Sequence, residues 1–360
     1  MKICVISTTI FSCPPTGYAG LEAVAWESAK GLAKKGHEVT LIAPSGSSCP
    51  GVTILECLPP GHGEEQAYGG CVLKDGNNND VRWPGYWSKL LEFNDGGVII
   101  DHSWQAWSAM LKMEGRLTCP ILKVMHAPVA TMYANIPPES VLSFICISND
   151  QKTHFEALHS PRIAHMVYNG VDHGFYKPLD VPRSKRFLFL ARFSTIKGPD
   201  LAVEACKKAG VGLDLIGDTS ITNEPALYEH CKRLADGEQI RIIGSVPRGE
   251  TVWWYSQAHA LLHPNQRFRE PFGLAPVEAM LCGCPVIAWK YGAMTETVVP
   301  GETGLLCDSM DMLVGHIKTL ASVLKPEDRP RCREWAMKFS IENMVEGYEA
   351  LCYQALKNPW

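Results

Sequence analysis

Lys2-Ile3-Cys4-Val5-Ile6-Ser7-Thr8, then Ser12-Cys13-Pro14-Pro15-Thr16-Gly17-Tyr18-Ala19-Gly20, then Leu21-Glu22-Ala23-Val24-Ala25, is the stretch on which the fold turns. The first run is apolar and reads as a buried strand. The second is punctuated by proline and glycine and reads as a loop. The third opens a helix, with Leu21, Val24, Ala25, Leu32 and Ala33 mostly at helical spacing. That helix ends at Lys34-Lys35-Gly36, two cations in the last turn and then a C-cap glycine. A second strand follows at residues 38–43. Strand, loop, helix and strand in this order build a parallel sheet covered by helices on both faces.

The same unit recurs along the chain. Further strands are expected at 52–57, 97–101, 120–125, 142–147 and 163–168. A second series begins after Asn169-Gly170-Val171-Asp172, with strands at 186–191, 211–216, 239–243, 259–263 and 285–289. Phe175-Tyr176-Lys177-Pro178-Leu179-Asp180-Val181-Pro182 reads as an extended linker. Chain length agrees with two series, because 360 residues exceed what one core ordinarily holds. Residues 60–85, rich in Gly, Asn and Asp, read as a disordered loop. Near the end, Met344, Val345, Tyr348, Leu351, Cys352 and Ala355 make an apolar helical stripe after a break at Phe339-Ser340.

Composition narrows the function classes. Apolar residues make up 46% and charged residues 20%, as in a folded globular chain. No apolar run reaches about 18 residues, so no transmembrane helix is expected, and the N-terminal apolar stretch is too short for a secretory signal. A net charge of −4 argues against a general nucleic-acid binder. The 14 cysteines fall mostly inside strand-like or helix-like segments, where a reduced thiol acts as a small hydrophobe. Cys282-Gly283-Cys284 lacks a second ligand cluster at zinc spacing, so no metal site is expected there. A reduced, cytoplasmic protein is the expectation. No Gly-x-Gly-x-x-Gly follows the first strand, which disfavours an NAD-dependent dehydrogenase.

Ligands of open α/β sheets bind past the carboxyl ends of the strands, so chemistry is sought in the loops there. The strongest signal is Glu270-Pro271-Phe272-Gly273-Leu274-Ala275-Pro276-Val277-Glu278. A helix is expected to start near Pro276, and the free amides of its first turn suit a phosphate. Glu270 would face a sugar, and Glu278, two turns on, a ribose; Glu278 also reads as a plain solvated helix residue. The second signal is Leu190-Ala191-Arg192-Phe193-Ser194-Thr195-Ile196-Lys197-Gly198, directly after a strand. Arg192 and Lys197 can both reach one diphosphate, the first by its fork and the second as a point charge.

In these motifs, in their order and intervals, the chain resembles the family 4 retaining glycosyltransferases of the GT-B fold over nearly its whole length. Glu270 and Glu278 match the family's Glu-x7-Glu signature, and Arg192 and Lys197 its diphosphate-binding pair. The opening loop with Gly20-Leu21-Glu22 resembles its first Gly-rich turn, and Gly36-His37-Glu38-Val39-Thr40 its entry to strand two. Asn169-Gly170-Val171-Asp172 matches its interdomain segment, and Met125-His126-Ala127-Pro128 falls where it carries an active-site histidine. Ala19 departs from the pattern, which usually has a second glycine there.

The resemblance implies an α/β fold of two Rossmann-like domains whose parallel sheets face each other across a cleft. Residues 1–172 would be the acceptor domain and 173–338 the nucleotide-sugar donor domain. Residues 339–360 would form a helix crossing back to the N-domain. It implies a retaining, metal-independent hexosyltransferase with a nucleotide diphosphate sugar donor, a UDP-sugar favoured over GDP-mannose, and no cofactor. Glu270 would bind donor-sugar hydroxyls, helped by the backbone of Phe272, Gly273 and Leu274, and Glu278 would hold the ribose. Arg192 and Lys197 would stabilise the leaving diphosphate, and His126 would position the sugar. Gly17 and Gly20 would approach the donor from the N-domain, and Val246 would stand where the base is read.

Other residues carry two readings. His102 and Trp104 read as cleft or as aromatic core, and Trp83, Tyr86, Trp87 and Trp107 as acceptor-stacking or core. Arg248 reads as solvated. The acceptor, whether small molecule, glycan or lipid, stays open, as do the oligomeric state and peripheral membrane contact. A UDP-sugar epimerase of the same fold and a catalytically silent nucleotide-sugar-binding protein are the competing readings.

Overall fold

The apolar runs become parallel strands in both halves of the chain. The computed structural model describes residues 1–8, 10–17, 19–56, 73–74, 80–81, 90–103, 107–133, 142–159, 164–219, 222, 224–323 and 329–357. The chain divides into two units, Met1–Gly170 with Ile341–Trp360, and Val171–Ser340.

The first unit is built on Lys2–Ile6 (β1), Glu38–Ala43 (β2) and Thr53–Glu56 (β3). Leu73–Lys74 (β4) and Asp80–Val81 (β5) form a separate antiparallel pair. Gly97–Asp101 (β6), Ile121–Met125 (β7), Ser143–Cys146 (β8) and Ala164–Met166 (β9) complete a sheet in the order β3-β2-β1-β6-β7-β8-β9. Its strand pairs are parallel, and Ile3 of β1 faces Val39 on one side and Val98 on the other. Helices Gly20–Lys34 (α1), Trp107–Met113 (α2), Val129–Tyr133 (α3) and Asn149–His159 (α4) alternate with these strands. β6, β7 and β8 are buried along their whole length, which is why their sequences read as continuous apolar runs rather than alternating ones.

The second unit repeats the plan. Phe187–Leu190 (β10), Leu213–Ile216 (β11), Ile240–Gly244 (β12), Leu261–His263 (β13), Val286–Trp289 (β14) and Gly304–Cys307 (β15) pair in the order β12-β11-β10-β13-β14-β15. Its helices are Pro199–Ala209 (α5), Pro225–Leu234 (α6), Arg248–Gln257 (α7), Leu274–Leu281 (α8), Met294–Thr297 (α9), Met310–Val323 (α10) and Arg329–Ala336 (α11). One face of the sheet buries Phe187, Phe189, Leu213, Leu215, Leu262 and Ile287 with Ala202, Cys206, Leu313 and Ile317 from α5 and α10. Strand β15 was not expected from sequence. Its four residues follow a turn at Gly301, and Gly304 sits so close to Val286 O that a Cβ would lie 2.0 Å away.

After a 3-10 turn at Met337–Phe339 the chain is extended at Ser340 and enters Ile341–Lys357 (α12). This helix packs on α1 of the first unit, burying Met344, Val345, Tyr348, Cys352 and Ala355. A Cβ on Gly31 of α1 would lie 2.3 Å from Val345 Cγ2, so the bare backbone there admits the second helix. Glu349 closes the contact, accepting from Lys35 Nζ at 2.8 Å and pairing with His37 Nε2 at 2.8 Å. No helix among the described residues is long and apolar enough to cross a membrane. The described cysteines are buried free thiols, and burial raises the pKa of Cys146 and Cys307 to about 12, as for a small hydrophobe.

Candidate active site

In the second unit the strand order reverses at β10, which lies between β11 and β13. At such a point the loops leaving two adjacent strands diverge and leave a crevice past their carboxyl ends. The loop after β10 carries Arg192 and Lys197, and the loop after β13 carries Asn265 and Glu270. Gly198 lets them meet. It caps α5 at φ +69°, ahead of Pro199, and a Cβ on it would lie 2.8 Å from Pro264 O. Arg267 adds a tie, its two terminal nitrogens donating to the two oxygens of Asp200 at 3.0 and 2.9 Å. Glu224 holds the first loop from its other side, accepting from Ser194 Oγ at 2.7 Å and Thr195 N at 2.8 Å. Burial opposes the charge on Glu224, but these bonds and the Arg192 charge hold its pKa low.

Lys197 and Glu270 come together directly. Lys197 Nζ lies 2.6 Å from Glu270 Oε2, Asn265 Nδ2 donates to the same oxygen at 2.7 Å, and His263 Nε2 lies 3.4 Å from it. Glu270 is 7% exposed. Burial pushes its pKa up, but the Lys197 charge and the contact with His263 prevail and hold the carboxyl well below the usual range. Among the described residues no donor reaches Oε1, which stays available to a hydroxyl. The Glu270 backbone is fixed by Ala293, whose N–H donates to Glu270 O at 2.9 Å.

Helix α8 starts at Leu274, two residues before the expected Pro276, because Gly273 at φ +84° turns the chain into the helix there. Phe272 is buried edge-on against Phe339 at 5.4 Å, so only its backbone can face a ligand. Glu278, inside α8 and eight residues after Glu270, has other neighbours. Tyr255 Oη donates to its Oε2 at 3.0 Å. Burial raises its pKa, while Arg248 and the hydroxyls of Tyr176 and Tyr255 pull the other way. Arg248 itself lies over the rings of Phe175 and Tyr176, at 5.2 and 5.9 Å. The sequence reading of Arg248 as solvated is therefore corrected: two aromatics of the linker hold it beside Glu278. Val246 lies between β12 and α7 and is partly buried.

In the first unit, His126 follows β7 and His102 follows β6, and the two rings are hydrogen-bonded, His102 Nδ1 to His126 Nε2 at 2.8 Å. Beneath them Lys123 and Asp101, opposite each other on β7 and β6, form a buried ion pair at 3.1 Å. Asp101 also accepts from Ser103 N at 2.8 Å and from the hydroxyls of Ser103 and Ser108. Burial lowers the pKa of both histidines, that of His102 to about 3. Gly20 opens α1, with Ala19 as its cap. A Cβ on Gly17 would meet no atom within 4 Å, so packing does not require a glycine there. Trp83, Tyr86, Trp87 and Trp104, the side chain of Trp107, and residues 60–85 apart from 73–74 and 80–81 lie outside the described residues.

Sequence reasoning passed over His263, Asn265, Tyr255 and Tyr176. The first two were within reach, since His263-Pro264-Asn265 stands at the carboxyl end of a strand, where polar side chains point at ligands. Tyr255 lies inside α7 and Tyr176 in the linker, and nothing in their spacing marks them.

Comparison with known proteins agrees with a chain built on two parallel sheets of this kind. Residues 18–175 match the family described as Glycosyltransferase Family 4, and residues 177–338 match Glycosyl transferases group 1. The D-inositol 3-phosphate glycosyltransferase of Acidothermus cellulolyticus is 26% identical over 98% of this chain and 89% of its own length. The sucrose-phosphate synthase of Thermosynechococcus elongatus superposes with a TM-score of 0.74 at 19% identity, covering 99% of each chain. HepE of Anabaena, in complex with UDP-glucose, gives 0.73 at 18% identity, covering 98% of this chain and 100% of its own. The chain belongs to family 4 of the GT-B glycosyltransferases. It is an enzyme that transfers a sugar.

Proposed function

We propose that the enzyme moves a hexose from a UDP-sugar to an acceptor hydroxyl, with retention of configuration and without a metal ion. The observation that carries this reading is the Lys197–Glu270 pair at the reversal point of the second sheet, with Arg192 on the same loop as Lys197. Glu270, ionised and with one oxygen unengaged, accepts hydrogen bonds from donor-sugar hydroxyls. Lys197 keeps two further N–H donors for phosphate oxygens, and Arg192 adds a second positive charge. Together they stabilise the negative charge that grows on the leaving diphosphate, the part a divalent cation plays elsewhere. Glu278, flanked by Tyr255, accepts from the ribose hydroxyls, the backbone around Val246 meets the base, and the amides of Phe272, Gly273 and Leu274 line the sugar. Within the first unit, His126 is the residue that positions a bound sugar, and Gly17, in the loop after β1, and Gly20, at the start of α1, contact the donor. The UDP-glucose complex of a structural neighbour supports the choice of nucleotide.

A screen of UDP- and GDP-sugars by thermal stabilisation, with EDTA present, tests the reading. A UDP-hexose is expected to raise the melting temperature more than its GDP counterpart. A shift seen only with added Mg²⁺ contradicts metal independence, and a shift only with GDP-sugars contradicts the nucleotide.

A further inference from the structure

The imidazole pair of the first unit has hydrogen bonds that determine which nitrogen carries each proton. Ser28 on α1 spends its hydroxyl hydrogen on Ala25 O, at 2.8 Å. Its oxygen therefore can only accept from His102 Nε2, 3.4 Å away. His102 carries its proton on Nε2, and its Nδ1 is bare. Two bare nitrogens cannot bond, so across the 2.8 Å contact His126 Nε2–H is the donor. A neutral imidazole has a single N–H, which leaves His126 Nδ1 as an acceptor. Both rings are neutral because burial, reinforced by the Lys123 charge, keeps a second proton away. No described group occupies His126 Nδ1.

The ring of His102 is also held in place. Its backbone N–H continues the sheet by donating to Ile6 O at 2.9 Å. Tyr348 from α12 packs edge-on against it at 5.7 Å, and the His126 ring lies edge to edge with it, centroids 5.1 Å apart and planes within 26° of each other. A fully buried histidine with both nitrogens engaged and its plane clamped is placed to orient its neighbour rather than to touch a ligand.

We propose that His102, backed by Ser28, is a positioning residue that fixes the tautomer and ring plane of His126, so that His126 presents Nδ1 as an acceptor for a hydroxyl of the bound sugar. The proposal rests on the reading above that His126 meets the donor sugar. It adds a selectivity: a sugar hydroxyl facing His126 is recognised, and an O-methyl or deoxy group at that position is not, because neither can donate to Nδ1.

The test uses the full chain labelled with ¹⁵N-histidine, and long-range ¹H–¹⁵N spectra near neutral pH, His126 being assigned by the loss of its signals in His126→Gln. The expected wild-type pattern is a protonated Nε2 and a bare Nδ1 on His126. His102→Leu is expected to lose that tautomer and to lower kcat about tenfold, the scale of one lost positioning hydrogen bond. His102→Asn, whose Oδ1 can stand where Nδ1 stood, should restore both, a recovery that a purely structural role for the imidazole would not produce. Should His102→Leu fail to fold, Ser28→Ala gives the same spectral readout, since it removes the acceptor of His102 Nε2–H. A wild-type His126 protonated on Nδ1 overturns the proposal, whatever the substrate. The predicted tautomer together with wild-type kcat in His126→Gln overturns instead the sugar contact on which the proposal rests.

Discussion

Replacing Lys197 with methionine removes the charge facing Glu270 while keeping most of the aliphatic stem. At 2.6 Å the pair attracts by about 6 kcal/mol at an effective dielectric of ~20. Burying each ion costs several kcal/mol, so the intact pair is close to balanced. In Lys197→Met the cost of the buried carboxylate remains, with Asn265 as its firm hydrogen-bond donor, and the expected loss of stability is about 3–5 kcal/mol. The pH dependence follows from the direction of the Glu270 shift. In the wild type its pKa is depressed, so its contribution is full above the unfolded carboxyl value of about 4.3 and fades only as pH falls through the lower folded value. In Lys197→Met burial is less opposed and the folded pKa rises. The destabilisation is then present at neutral pH and relieved as pH falls through that raised value. Urea unfolding at neutral and mildly acidic pH measures both. Adding Glu270→Gln to Lys197→Met should recover most of the stability at neutral pH while transfer stays at least about 100-fold down, because the diphosphate still lacks its cation. A deficit below about 1 kcal/mol, or a double variant no more stable than the single one, would refute the buried-pair reasoning.

The two signature carboxylates should separate in calorimetry with UDP. Glu270→Ala is expected to impair transfer far more than binding of the bare nucleotide, and Glu278→Ala to weaken nucleotide binding itself; equal losses would mean the roles are misassigned. Gly198→Ala forces a side chain into a left-handed conformation, about 1–2 kcal/mol, with its Cβ 2.8 Å from Pro264 O. Both stability and turnover should fall, and unchanged kinetics would show that the two loops need not approach so closely. Truncation before Ser340 removes α12 and uncovers the α1 face around Gly31, so an aggregating or inactive product is expected; a soluble, fully active one would contradict the packing of α12 on α1.

The parallel sheets were legible because every central strand is buried on both faces and so appears as a short apolar run between Gly-rich loops. β15 escaped because its four residues open on a glycine, three positions after another, and its place depends on Val286 of the neighbouring strand. Lys197 and Glu270 could be singled out, being charged residues just past strands, but their 2.6 Å contact arises from strand order, which joins residues 73 apart in sequence. The same holds for His102, for which aromatic core and cleft looked alike. Its hydrogen bond to His126 exists only because β6 and β7 are neighbours. Arg248 was misjudged because its partners, Phe175 and Tyr176, lie more than seventy positions upstream.

The central claim, transfer from a UDP-hexose with retention, is tested most directly by the configuration of the first product. The enzyme is incubated with UDP-glucose and other UDP- and GDP-sugars in EDTA, without acceptor, and the released sugar is followed by ¹H NMR before it mutarotates. The account predicts UDP release from a UDP-hexose, with the sugar first appearing in the anomeric configuration it had in the donor. A sugar first appearing inverted at its anomeric carbon, a C2-inverted product, or release only when a divalent metal is supplied would contradict it.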